Sequence, residues 1–198
     1  MAWRPAQTPR YRLQLRILSI PVLAFAMRAT PAPAQFSWPD AEIRRATLSF
    51  DGKSTLGDFT GTTTTVRGHM GGAALLPGVR GWVEAPVNTL KTGNDRRDRD
   101  LVKTMDASIY PTIRFQLEGV KPQWERGDSA SVLLEGDFFI HGMTRRERIT
   151  ATVVRGVEGV RLIASFPMNL HDYKVDRLTR FLVFKMNPDI VVHVDLTF

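Results

Sequence analysis

Five consecutive charged residues have the clearest capacity for chemistry in this sequence: Arg96, Arg97, Asp98, Arg99 and Asp100. The two aspartates could act as a general acid and base, although the arginines beside them favour ionised, salt-paired carboxylates. The arginines could instead bind an anion, because the guanidinium fork suits phosphate. Runs of charge are also typical of a solvated, salt-bridged turn. All three interpretations stay open on these residues alone.

The other polar residues predict neither catalysis nor metal binding. The chain has no cysteine, and its four histidines lack the short spacing of metal ligands: His69, His141, His171 and His193. None of the serines that we considered as nucleophiles stands in a Gly-x-Ser-x-Gly setting: Ser49, Ser54, Ser129, Ser131 and Ser165. There is also no glycine-rich phosphate loop. We therefore expect no catalytic residue and no metal.

The net charge of +7 comes mostly from the N-terminus. Residues 1–34 hold five arginines and no acidic residue, and without them 22 basic residues face 20 acidic ones. That balance is typical of an ordinary protein surface and gives no basic face for nucleic acid.

Residues 1–34 have the pattern of a signal peptide. Arginines from Arg4 to Arg16 precede the apolar run 17–27, which is too short to cross a bilayer as a helix. Ala32-Pro-Ala34 offers a cleavage site before Gln35, and Ala24-Phe-Ala26 offers a second one. A disordered basic tail or a wrongly chosen start codon are the alternatives. We expect export, a single domain over residues 35–198 without a transmembrane segment, and a soluble protein in the periplasm.

From Glu42 onward, apolar and polar residues alternate with a period of two, which predicts strands. About eight such runs occur, and only residues 101–109 could form a short helix, while 68–72 are interpreted as a loop. An all-β antiparallel barrel or sandwich follows. Small residues on inward faces, such as Ala85, Ala151 and Ala164, could leave an apolar channel open. They could equally fit the taper of a tightly packed barrel.

Five motifs in order resemble the YceI-like family of bacterial, often periplasmic, proteins. They are Leu56-Gly-Asp-Phe59, Leu90-Lys-Thr-Gly-Asn94, Arg97-Asp-Arg-Asp-Leu101, Tyr110-Pro-Thr-Ile-Arg-Phe115, and the run from Glu135 to Thr144. The resemblance extends over residues 36–198 and implies an extended, lipocalin-like barrel. Its internal channel would hold a polyisoprenoid or a similar amphiphilic lipid. The chain departs from the family where Asp100 replaces a histidine and Phe139 replaces a threonine.

With this resemblance, the inward faces of the predicted strands are expected to form the channel wall: Leu48, Phe50, Val83, Ile113, Phe115, Leu117, Val132, Leu134, Phe138, Ile140, Ala164, Phe166, Met168, Val192 and Val194. Arg97 and Asp98 are expected to meet the lipid head group. No cofactor is expected beyond a bound isoprenoid or quinone-like lipid, and the protein would be a monomer or a homodimer. Two alternatives remain, a solid-barrel stress or interaction protein and an enzyme that uses Arg97, Asp98 and Asp100.

The charge split between residues 1–34 and the rest of the chain predicts cleavage on export. The mature protein should begin near Gln35 and lie in the periplasm, because the basic and apolar segments of a signal peptide are removed when the protein is exported. N-terminal sequencing of the exported form measures this, and a start at Met1 or Ala2 would overturn the assignment.

Overall fold

A computed structural model describes Met1 and residues 36–55, 57–175 and 186–198, so the predicted signal peptide lies outside the described residues apart from Met1. The described residues form ten strands: β1 Ala41–Glu42, β2 Arg45–Ser54, β3 Gly57–Thr63, β4 Arg67–Gly71, β5 Arg80–Pro86, β6 Thr112–Arg126, β7 Ser129–Ile140, β8 Met143–Gly156, β9 Gly159–Asn169 and β10 Asp189–Thr197. One α-helix, α1, covers Asp95–Thr104, and 3-10 turns cover Leu76–Gly78, Val87–Thr89 and Leu170–Tyr173.

The ten strands make one antiparallel sheet in the order β1-β4-β5-β6-β7-β8-β9-β10-β2-β3. The sheet curls into a lipocalin-like half-barrel, and the edge strand β3 returns towards the segment after β5. Thr62 and Lys91 exchange two backbone hydrogen bonds there, of 2.8 and 2.9 Å. These bonds occupy part of the β3 edge, which would otherwise present unpaired backbone groups. The predicted all-β antiparallel fold with one helix is confirmed.

Two of the ten strands were not predicted, which explains the expected count of about eight. β1 has only two residues, and β4 contains glycines that indicated a loop. A Cβ on Gly68 would lie 2.6 Å from both Ile43 Cδ1 and the carbonyl oxygen of Trp82. Glycine is therefore used here for close packing between neighbouring strands and not for a turn.

Helix α1 begins earlier than the sequence analysis predicted, and it contains the charged run that was interpreted as a turn or loop. Asn94 is the N-cap, and its side-chain oxygen accepts hydrogen bonds of 3.1 Å from the backbone N–H groups of Arg96 and Arg97. Asp95 and Asp98 stand in the first turn and Lys103 in the last, which matches the helix dipole.

The interior is packed solid at one end of the barrel. Phe36 and Trp38 come before the first strand and are buried, and the Trp38 ring meets that of the buried Phe198 edge-on at 5.4 Å. The backbone N–H of Phe36 donates to Glu125 at 2.9 Å, and that of Trp38 donates to the Ala73 carbonyl at 3.0 Å. The N-terminal segment of the described domain therefore closes this end.

At the other end, a clamp holds α1 to the loop that precedes it. One carboxylate oxygen of Asp98 accepts from the backbone N–H of Thr92 at 2.8 Å and from its hydroxyl at 2.6 Å. Arg97 donates to the Thr92 hydroxyl and carbonyl at 2.9 and 3.0 Å, and its guanidinium lies 4.2 Å from the centre of the Phe59 ring. Helix, loop and β3 are therefore joined through two adjacent side chains.

Asp98→Asn should lower the free energy of unfolding by about 1.5–3 kcal/mol, because it removes the charge from hydrogen bonds at a side chain only 10% exposed. Burial raises the pKa of Asp98, but the Thr92 hydrogen bonds and the charges of Lys91 and Arg97 outweigh it, and the pKa lies below its ordinary value. The contribution is thus complete above the ordinary pKa and is lost as pH falls through the lowered one.

Urea titrations from pH 7 to pH 2 measure this effect, with Asp95→Asn as the matched control. Asp95 is exposed in the same helical turn, so its loss should cost no more than about 1 kcal/mol. Equal effects of the two changes would mean that helix charge, and not the clamp, stabilises this region.

Candidate ligand-binding cavity

The half of the barrel beside α1 is hollow. A cavity of about 360 Å³ lies there, within the range of small-molecule sites. Thirteen of the fifteen predicted wall residues line it: Leu48, Phe50, Val83, Ile113, Phe115, Leu134, Phe138, Ile140, Ala164, Phe166, Met168, Val192 and Val194. The alternation of side chains along the strands brings these residues together, since residues two apart share one face.

The two remaining wall residues do not line the cavity. Leu117 and Val132 are at most 1% exposed and are not among the residues that line the cavity. On β7 Leu134 lines the cavity and Val132 does not, and on β8 Ile149 lines it and Ala151 does not, whereas on β9 both Leu162 and Ala164 line it. Alternation identifies the inward face of a strand but carries no information about which part of that face is filled.

Three aromatic rings form one side of the cavity wall. The rings of Phe115 and Phe138 lie 4.7 Å apart, and those of Phe138 and Phe166 lie 5.9 Å apart. Gly136 accommodates the first of them, because a Cβ there would meet the Phe115 ring and the Gln116 carbonyl. Such ring pairs add to the burial energy and fix the wall in place.

The small residues have two different roles. Ala85 and Ala164 line the cavity, as the open-channel interpretation requires. Gly136 and Gly81 leave room for neighbouring side chains, because a Cβ would collide with Phe115 and Met70 respectively. Ala151 is 2% exposed and does not line the cavity, although it pairs with Ala164 across the strands.

Polar residues of α1 form the rim of the cavity. The helix contributes five lining residues: Arg96, Arg97, Asp100, Leu101 and Thr104. They lie on one helical face, because Arg96, Asp100 and Thr104 are spaced by four residues, and so are the adjacent Arg97 and Leu101. Asn94, just before the helix, lines it too, and both Asn94 and Arg96 are exposed, so the cavity reaches the surface here.

Of the two predicted head-group residues, only Arg97 lines the cavity. Asp98 points to Thr92 and is 8% exposed. Sequence reasoning missed Arg96, Leu101 and Met105 as lining residues because it interpreted 96–100 as a turn; a helical period begun at the Asn94 cap would have found them.

Three histidines each form a pair with one aspartate. His69 Nε2 lies 2.7 Å from Asp40, and His193 Nε2 lies 2.9 Å from Asp51. His141 lies beside the open half of the barrel, with Nε2 3.2 Å from Asp106 and Nδ1 3.2 Å from the Tyr173 carbonyl. Within the described ranges, no three histidine, aspartate or glutamate side chains are grouped as metal ligands would be.

Tyr173, whose backbone carbonyl faces His141, has a buried side chain. Desolvation, the charge of Glu147 and a 3.4 Å hydrogen bond to that carboxylate raise the pKa of the Tyr173 hydroxyl above its ordinary value. The phenol therefore stays neutral and acts as a donor.

No helix in the described part of the chain is long and apolar enough to span a bilayer.

Several solved structures match this fold, and two of them cover most of the chain. BcnA from Burkholderia cenocepacia is 14% identical, with 77% of this chain and 96% of that chain covered and a TM-score of 0.66. A polyisoprenoid binding domain from Saccharophagus degradans, implicated in plant cell wall breakdown, is 15% identical, with 78% and 95% covered and a TM-score of 0.64. At such identities the similarity shows the fold alone. Comparison with curated protein sequences finds no match.

The sequence itself gives the family. Residues 40–198 match the YceI-like domain, and this range contains every strand of the sheet, the helix and the residues that line the cavity. The resemblance noted from the five motifs is therefore confirmed, and the chain belongs to the YceI-like family.

Proposed function

We propose that this protein binds a long-chain isoprenoid or similar amphiphilic lipid in the cavity and carries, stores or protects it in the periplasm. The observation that carries the proposal is the cavity itself, a largely apolar space whose two arginines, Arg96 and Arg97, lie together on α1. The polyisoprenoid binding domain of Saccharophagus degradans, which has the same fold, supports this ligand class.

The driving force for binding is the removal of the lipid tail from water. Each buried methylene group contributes about 0.8 kcal/mol, and an isoprenoid offers many of them. Ordering the tail and the loss of free motion oppose this gain. No catalytic group is needed for such binding.

The polar end of the lipid would lie at the rim, beside Arg96 and Arg97. Arg97 is already held by Thr92 and Phe59, so it offers a fixed charge, whereas Arg96 is exposed and has no ion pair among the described residues. Arg96 takes the place of Asp98 as the second head-group residue, because the Asp98 carboxylate is bound to Thr92. The basic and apolar N-terminus of the sequence supports export to the periplasm, where such a lipid would be carried.

The two alternatives explain less of the structure. A solid-barrel interaction protein would have no need of the cavity between β2, β6 and β9. An enzyme using Arg97, Asp98 and Asp100 would need an available carboxylate pair, but Asp98 accepts two hydrogen bonds from Thr92 on one oxygen and has Lys91 4.0 Å from the other.

Protein purified under native conditions should carry the lipid with it. Extraction with organic solvent followed by mass spectrometry should find one class of long-chain isoprenoid or related amphiphile at near-stoichiometric amount. An empty cavity in protein made in a lipid-replete host would contradict the proposal.

Ala164→Trp should block lipid uptake with little loss of stability, because the indole would enter space that is empty or lipid-filled. Its cross-strand partner offers a matched control: Ala151→Trp adds the same bulk to a packed position and should cost about 1–3 kcal/mol or more by overpacking. Lipid titration and thermal unfolding measure the two effects. A large loss of stability in ligand-free Ala164→Trp, with uptake unchanged, would remove Ala164 from the wall of the binding site.

A further inference from the structure

A chain of hydrogen bonds crosses four adjacent strands on the outer face of the barrel. The Ser165 hydroxyl on β9 lies 3.0 Å from His193 Nδ1 on β10, and His193 Nε2 lies 2.9 Å from Asp51 on β2. The other Asp51 oxygen accepts from the Thr60 hydroxyl on β3 at 2.7 Å. A nucleophile and an orienting carboxylate thus each lie within hydrogen-bonding distance of the same base.

The carboxylate determines which way the protons point. Hydrogen bonds from Thr60 and His193 hold the pKa of Asp51 below its ordinary value, so the group is an acceptor only. In the neutral imidazole Nε2–H then donates to Asp51, which leaves the Nδ1 lone pair facing Ser165. His193 is therefore oriented to take the proton of the Ser165 hydroxyl. The histidine faces its carboxylate through Nε2 and its serine through Nδ1, and either ring nitrogen can serve as the base.

The site is open to a reactant and bordered by apolar residues. The side chains of His193 and Asp51 are 41% and 52% exposed, and Ser165 is also exposed. Ile163 lies two residues before Ser165, and Val191 lies two residues before His193, so both are on the same face of the sheet as the triad. Each of these two side chains is 39% exposed. A small apolar acyl group could rest on either of them.

From this arrangement we propose that Ser165, His193 and Asp51 form a triad that accepts acyl and phosphonyl groups from activated esters and phosphonyl fluorides. The site lies on the opposite face of the sheet from the cavity, because Ser165 follows the cavity-lining Ala164. It is therefore independent of lipid binding, and either proposal can fail without the other.

With an ester, the Ser165 oxygen attacks the carbonyl carbon while His193 Nδ1 takes the hydroxyl proton. The tetrahedral adduct then breaks its bond to the leaving alcohol, which takes that proton from the imidazolium and departs. Water deacylates the serine by the same route, giving a carboxylic acid and the free hydroxyl. With a phosphonyl fluoride, His193 takes the hydroxyl proton and passes it to water, an oxygen–phosphorus bond replaces the phosphorus–fluorine bond, and fluoride leaves.

The position of Ser165 within a strand limits the donors that can react. The backbone N–H groups of a strand lie in the plane of the sheet, so they do not form a pair aimed at an oxyanion above it. Such donors are worth about 10²–10³ in rate elsewhere. Strongly activated reagents need least of this stabilisation, and the reaction should therefore stop at, or pass slowly through, the modified serine.

The test is labelling of the purified full chain with an alkyl fluorophosphonate, followed by intact mass measurement and peptide mapping. We expect one phosphonyl adduct per wild-type chain in the intact mass, and peptide mapping should locate it on Ser165. His193→Ala should slow labelling by about 10²-fold, the lower end of general-base effects. p-Nitrophenyl acetate should give a burst of one p-nitrophenol per chain, which Ser165→Ala abolishes.

Ser49 provides the control, because it pairs with His193 from the other neighbouring strand. Ser49→Ala should leave the labelling rate unchanged. Absence of an adduct on Ser165 would overturn the proposal. Labelling of Ser165 at the same rate in His193→Ala or in heat-denatured protein would overturn it as well, since the serine would then react without the triad.

Discussion

The burial of apolar side chains at the closed end of the barrel is the interaction on which the remaining structure depends. A cavity gives up the dispersion contacts that its lining would make in a packed core, so the hollow half cannot stabilise itself. Phe36, Trp38 and Phe198 close the other end, and Val132, Val153 and Val160 on β7, β8 and β9 are at most 1% exposed. The sheet is continuous between the two halves, and the solid half therefore holds the walls of the hollow one apart.

Helix α1 completes the hollow half. Leu101 lines the cavity, Arg96 and Arg97 supply the rim, and the hydrogen bonds of Asp98 to Thr92 attach the helix to the preceding loop. One short charged segment thus performs two tasks with alternate residues. Asp98 faces the loop and is structural, while Arg96 and Asp100 face the space where a head group would lie.

The period of two was sufficient to predict the antiparallel fold and most of the wall, because a strand exposes every second residue to the same side. The same rule failed at Leu117 and Val132, since depth along the barrel depends on what fills the closed end, here the Phe36–Trp38 segment, which has no strand pattern. The helix was predicted to begin at residue 101 and not at Asp95, because the charged run 96–100 was interpreted as a turn. Asn94 followed by Asp95 and Asp98 is nevertheless a helix-start signal. The proposed outer-face triad could not be found from sequence, because Asp51 lies 114 positions before Ser165 and the three side chains meet only through strand order.

If the hollow half of the barrel holds an apolar chain with its polar end at α1, that chain should be visible in a crystal structure of protein purified without delipidation from cells that make isoprenoid lipids. We expect continuous density for one slender chain that runs from Leu134 and Ile149 past Ala164 to the rim at Arg96. A cavity collapsed by rotation of Phe138 or Phe166 into it, or one filled only by ordered water, would show that the hollow half has another purpose.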